Sequence, residues 1–183
     1  MCLSKWIKAW RKRRRDRIYE GPSAEIDGGT HIRRDTDAPK EIASRELIRF
    51  SCRFSALSLM EEDTGLKCGV YYFDVSKGER GVNCTVRCNN PQVLPEGERK
   101  FTQTEDFLSK LEALVREYNV ARYNGDYYKV SGLPEFYGAI VDAEYASGET
   151  IYCYNNQDPF IPFEMIGALC RLFGIKQETE DEG

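Results

Sequence analysis

The sequence predicts an α+β domain: a mostly antiparallel sheet of five to six strands with two helices packed on one face, preceded by a basic amphipathic helix. Three observations carry that prediction. Several short segments alternate apolar and polar residues with period two. The connections between them are brief and carry Gly, Asn or Pro, which favours antiparallel pairing over crossover connections. Two longer segments space their apolar residues at helical intervals.

The first strand is "LIRFSCRFSALS", in which Ile48, Phe50, Cys52, Phe54 and Ala56 share one face and Arg49, Ser51, Arg53 and Ser55 the other. "KCGVYYFDV" (67–75) and "GVNCTVRC" (81–88) follow as two strands joined by the Gly-containing hairpin loop "SKGERG". "NNPQVLPEGERK" reads as an interruption, because its prolines lack a backbone donor and its Asn and Gly residues favour turns. "TQTEDFLSKLEALVREYN" is the clearest helix, with Thr102 or Thr104 able to cap it and Phe107, Leu108, Leu111, Leu114, Val115 and Tyr118 on one stripe. A short strand and turn are expected around "RYNGDYYKV", then a hairpin over "GAIVDAEYASGETIYCYN" turning at Ser147-Gly148. "PFEMIGALCRLFG" closes the domain as a helix, with Pro162 near its start and Gly174 as its stop.

The segmentation follows: a basic helix over 1–20, a Gly-, Pro- and Asp-rich linker over 21–45, one α+β domain over 46–176, and an acidic tail over 177–183. A chain of 183 residues, 41% apolar, suffices for one core and argues against disorder over most of its length. No apolar run reaches about 18 residues, so no transmembrane helix is expected, and the basic start lacks the apolar stretch of a secretory signal. The seven cysteines are an odd number and are read as free thiols in a reducing, cytoplasmic setting, with peripheral membrane attachment as a variant.

From "LEALVREYNVARYNGDYYKV" through "VDAEYASGETIYCYNNQDPFIPFEMIGALCRLFG", roughly residues 110–175, the chain resembles an uncharacterised family of small bacterial α+β domains. The shared features are a helix, an aromatic-Asn-Gly turn (Tyr123-Asn124-Gly125), a hairpin, a polar loop with proline, and a closing helix. The resemblance implies the fold and a bacterial origin, and it carries no functional residue.

Charge is segregated. Residues 1–20 hold eight Lys/Arg against two acids, a net +6, which leaves the other 163 residues at −10. Within that stretch Leu3, Trp6, Ile7 and Trp10 fall on one helical face, while Lys5, Lys8, Arg11, Lys12, Arg13, Arg14 and Arg15 supply the charge, Arg14 breaking the apolar stripe. Trp with Leu and Ile beside basic residues matches an interfacial helix, and each basic residue near an anionic leaflet contributes about 1 kcal/mol. A protein partner is the first expected occupant of this helix, an anionic membrane surface the second, and nucleic acid the third, the acidic body opposing the last. Cys2 beside it is a candidate for acylation that nothing in the sequence requires.

Other chemistry is sparse. Cys84-x3-Cys88 lacks the second ligand pair of a zinc site, and its alternation with Val82 and Val86 points to a strand's core face. Asp142 and Glu144 lie two apart on one strand face, about 7 Å apart at their bases, a spacing compatible with paired carboxylates in glycoside hydrolysis and equally with solvated acids. Tyr127, Tyr128, Tyr145, Tyr152 and Tyr154 fit strand preference or an aromatic binding face. His31, the one histidine, sits in the linker without a catalytic companion, and no phosphate-cradling glycine loop follows a strand. The expected function is therefore a non-catalytic interaction or accessory domain without a cofactor or metal. The competing classes are a nucleic-acid-binding protein using the basic arm and a hydrolase using Asp142 and Glu144.

Overall fold

A computed structural model of the chain describes residues 29–56, 65–132, 138–158 and 160–175. In chain order it contains β1 (Thr30–Arg34), β2 (Leu47–Ala56), β3 (Gly69–Gly78), β4 (Gly81–Cys88), β5 (Glu98–Gln103), α1 (Glu105–Glu117), a 3-10 turn (Val120–Tyr123), β6 (Asp126–Val130), β7 (Ala139–Tyr145), β8 (Thr150–Asn155) and α2 (Phe163–Leu172). The strands form a single sheet in the order β1-β6-β8-β7-β2-β3-β4-β5.

The fold class is α+β, with two helices among the described residues. The sheet is larger than expected, eight strands instead of five to six, and it is mixed. Every pairing is antiparallel except β6 with β8, which run parallel through Tyr127↔Tyr154 and Tyr128↔Asn155. Two strands escaped the sequence pattern. β1 falls inside the segment read as a linker, and Ala38 and Ile42 just after it are buried as well. β5 begins within the stretch read as an interruption: the chain turns at Asn90, whose carbonyl accepts from the N–H groups of Val93 and Leu94, and then returns along β4. The predicted N-terminal helix over 1–20 lies outside the described residues, as does the acidic tail.

One face of the sheet is apolar because alternation in each strand sends the same residue types there. Phe50, Cys52 and Phe54 of β2, Phe73 and Val75 of β3, Val82, Cys84 and Val86 of β4, and Val141 and Ala143 of β7 are all buried. Both helices cover this face. Phe163 at the start of α2 meets Phe54 at 5.7 Å between ring centroids, and Phe173 at its end meets Phe73 at 5.0 Å and Phe107 of α1 at 5.3 Å. Thr104 occupies the N-cap position of α1, without a side-chain cap bond, and Glu105 and Asp106 occupy the first turn, where they complement the helix dipole.

The opposite face is polar and cross-linked. Arg49 Nη1 lies 3.1 Å from Glu144 Oε1 and 4.0 Å from Asp142 Oδ2. Ser51 Oγ donates to Asp74 Oδ1 at 2.8 Å, Arg87 reaches the other oxygen of Asp74 at 3.4 Å, and its guanidinium sits 4.8 Å above the Tyr72 ring. Arg49 and Arg87 thus meet carboxylates on neighbouring strands, as opposite-charge neighbours in a sheet should.

Candidate functional site

The β1 end of the sheet is built by the Tyr123-Asn124-Gly125 turn. After α1 the chain passes through Asn119 in the left-handed region (φ 47°) and a single 3-10 turn. The buried Asn124 then acts as a knot: its Nδ2 donates to the carbonyls of Pro39 at 3.0 Å and Thr150 at 2.8 Å, and its Oδ1 accepts from Tyr152 N–H at 2.8 Å. Gly125 donates its N–H to Tyr152 O at 2.8 Å and accepts from Asp35 N–H at 3.0 Å. A side chain at Gly125 would place Cβ 2.7 Å from Ala38 Cβ at a φ of +80°, so only glycine lets residues 35–38 pass so close. The result is that β6 leaves this turn beside β8 and offers its other edge to β1.

Where β1, β6 and β8 meet, the surface opens into a cleft of about 280 Å³ whose walls include Ile32, Tyr123, Tyr127, Tyr154, Phe160 and Asp158. The aromatic side chains form two pairs. Tyr127 and Tyr154 are stacked at 4.8 Å with an interplanar angle of 18°, and Tyr123 meets Phe160 at 5.1 Å. The Arg122 guanidinium lies 4.4 Å from the Tyr123 ring centre. Asp126, also on the wall, is shared at 3.3 Å by Arg34 and Lys40, so its charge is already answered. Such a cleft presents apolar ring area with polar atoms at its margins, the composition that receives an apolar or planar group and orients it by a few hydrogen bonds. Ile32, on the cleft wall, is 66% exposed, the one large hydrophobic residue among the described residues that is so exposed.

The structure sorts the residues singled out in the sequence. Tyr127, Tyr128 and Tyr154 line the cleft, whereas Tyr145 is buried and Tyr152 is held in β8 beside Asn124. His31 belongs to β1, opposite Lys129. Asp142 and Glu144 lie on the polar face, sharing Arg49, and neither borders the cleft; Glu144 is buried rather than solvated. Cys84 and Cys88 are buried on the core face as free thiols, and burial raises both pKa values, that of Cys84 to about 11. Burial likewise raises the Cys52 and Cys153 thiols, so these sulfurs stay protonated and are poor nucleophiles or ligands at neutral pH. Among the described residues no group of three or more His, Cys, Asp or Glu side chains is placed to hold a metal ion. Leu3, Lys5, Trp6, Ile7, Lys8, Trp10, Arg11, Lys12, Arg13, Arg14 and Arg15 lie outside the described residues. Sequence reasoning missed Ile32, Arg33, Arg34, Phe160 and Asp158. The available signal was "THIRR", five residues of alternating exposure hidden in a Gly- and Asp-rich stretch.

Comparison with known proteins returned no matching family model, no matching curated protein and no matching solved structure. Among the described residues no helix is long and apolar enough to cross a membrane.

Proposed function

We propose that the chain is a non-catalytic, cytosolic interaction domain that receives a partner at the β1–β6–β8 end of its sheet. The observation that carries this reading is the juxtaposition of the aromatic cleft with Ile32, a large apolar side chain exposed on the terminal strand. Half-buried aromatic rings beside an exposed apolar side chain, with polar groups at the margin, match the apolar centre and polar rim of an interface. On the polar face Arg49 is paired with Glu144 and Arg87 with Asp74, and no exposed large apolar residue accompanies them among the described residues. The test is site-specific photo-crosslinking in cells, with the reactive side chain at position 128 beside the cleft or at position 100 on the far edge. A discrete adduct from position 128, absent from position 100 and lost when Tyr127 is replaced by Ala, is the expected result. Adducts of equal pattern from both positions contradict it.

The charge segregation of the sequence favours a second, compatible reading, in which Trp6, Trp10 and the basic residues of 1–20 attach the domain to an anionic surface. Co-sedimentation with anionic and neutral vesicles decides it: binding by the full chain to anionic vesicles alone supports attachment. Equal behaviour of the full chain and a chain lacking 1–20 removes it.

A further inference from the structure

We infer that β1 is a dimerisation edge, on which a second copy of this chain pairs antiparallel about Ile32; this rests on the interaction-domain reading above and names its partner. The ladder with β6 decides which main-chain groups face outward. Gly29 accepts from Ser131 N–H at 2.8 Å, and Asp35 donates to Gly125 O at 3.0 Å. Bonding residues alternate along an antiparallel pair, so His31 and Arg33 turn their main-chain groups toward β6. Thr30, Ile32 and Arg34 turn theirs outward. Among the described residues β1 pairs with β6 alone and ends the strand order, so these groups form an open edge there.

What selects a second copy is that this edge is its own complement. Ile32 is the middle residue of Thr30–Arg34 and, at 66% exposure, the strand's large apolar side chain. A two-fold axis through Ile32 sets it against Ile32 of the second copy and sets each Thr30 against an Arg34. Every outward residue then meets an outward residue, and each such pair exchanges two main-chain bonds. An axis through His31 or Arg33 would carry Arg34 or Thr30 past the end of the facing strand. The side chains agree with the axis at Ile32. Tyr128 of β6 stands directly opposite Ile32, so one row runs from Tyr128 through both Ile32 side chains to the second Tyr128. No like charges stand directly opposite. Arg33 faces His31, and Arg34 faces Thr30 while keeping its ion pair with Asp126 at 3.3 Å. The two Arg33 residues are diagonal neighbours only, about 7–8 Å apart at their backbones. β5, at the other end of the sheet, carries no exposed large apolar residue to cover.

The two-fold makes position 32 face itself, and that dictates the test. Sedimentation equilibrium of the full-length chain reads the association. A ladder of this length lies at the low end of interface size, so a dimer with a Kd on the order of 100 µM is expected. Ile32→Lys and Ile32→Glu each set like charges opposite across the axis and should each weaken the dimer about tenfold or more. Ile32 is exposed, so neither change touches the core. An equimolar mixture of the two variants should associate again, as unlike pairs. A chain that stays monomeric up to about 1 mM, a dimer indifferent to both substitutions, or a mixture that fails to associate overturns the inference. The crosslink at position 128 separates this failure from that of the reading beneath it. An adduct of twice the chain's mass is expected. A discrete adduct of another mass, with the chain monomeric, overturns the dimer and leaves the interaction-domain reading standing, whereas absence of a discrete adduct overturns that reading itself.

Discussion

Asn156 holds Val130 as a peptide group would: its side-chain amide accepts from Val130 N–H and donates to Val130 O, both at 2.9 Å. β6 and β8 share only two register pairs, so this fully buried amide extends the parallel ladder by a step that the backbone does not make. Parallel pairing is weaker per residue than antiparallel pairing, and among the described residues β1 pairs with β6 alone. The candidate binding end therefore hangs on Asn156.

Replacing Asn156 by Ala should act locally first. The N–H and C=O of Val130 lose their partners, at about 1–3 kcal/mol for each group left buried. Amide hydrogen exchange over Thr30–Arg34 and Asp126–Val130 should accelerate more than that of β2 and β3, whose pairings lie elsewhere in the sheet. Uniform acceleration across all eight strands would show that Asn156 matters only to global stability.

The Asn124 knot predicts a larger, global effect. Asn124→Ala strands the carbonyls of Pro39 and Thr150 and the N–H of Tyr152, and should cost about 3 kcal/mol, or roughly 6–12 °C in Tm for a chain of this size. Gly125→Ala should cost about 2 kcal/mol or more, through backbone strain at φ +80° and the close approach of residues 35–38. Thermal melts of the two variants check both figures.

Glu112 and Arg116 fasten the approach to β2 onto α1. The Arg116 guanidinium donates to Glu112 Oε1 at 2.7 Å and 3.0 Å and to the carbonyls of Ile42 at 3.3 Å and Ser44 at 3.1 Å. Arg116→Ala leaves the buried Glu112 carboxylate without its cation and should cost about 3 kcal/mol. Adding Glu112→Gln should recover part of that loss, because the stranded charge is gone. Denaturant midpoints of the single and double variants measure the coupling.

Alkaline pH should destabilise the fold through Cys84. Burial raises its thiol from 9.0 to about 11, so folding favours the protonated form. Its contribution is complete below pH 9, where the unfolded thiol also keeps its proton, and is lost as pH rises toward 11. Tm should therefore fall across that interval, and the fall should shrink in Cys84→Ala. An identical pH profile in the variant would remove Cys84 as a cause.

The strands legible in the sequence are those with one wet face and one dry face, such as β2, where Phe50, Cys52 and Phe54 alternate with Arg49, Ser51 and Arg53. The helices were legible for the same reason, their stripes meeting the apolar sheet through Phe107 and Phe163. β1 and β5 were not, because a terminal strand shares a ladder with one neighbour and buries too little to force a pattern; Thr30, Ile32 and Arg34 are all exposed. The parallel β6–β8 contact was invisible because side-chain amides at Asn124 and Asn156 make it possible, and neither alters periodicity. Of the cleft, the tyrosines of β6 and β8 were readable as a face, whereas Phe160 and Asp158 come from a connection that alternation does not describe.

The central claim is that a partner docks at the β1 end of the sheet, and backbone amide NMR of the full-length chain titrated with the partner recovered by the position-128 crosslink tests it most directly. The account predicts shift changes over Thr30–Arg34, Tyr127, Tyr128 and Tyr154, with little change at Arg49, Asp74 and Glu144. Changes centred on Arg49, Asp142 and Glu144 with β1 unmoved would contradict it, and would return the polar face to consideration as the site.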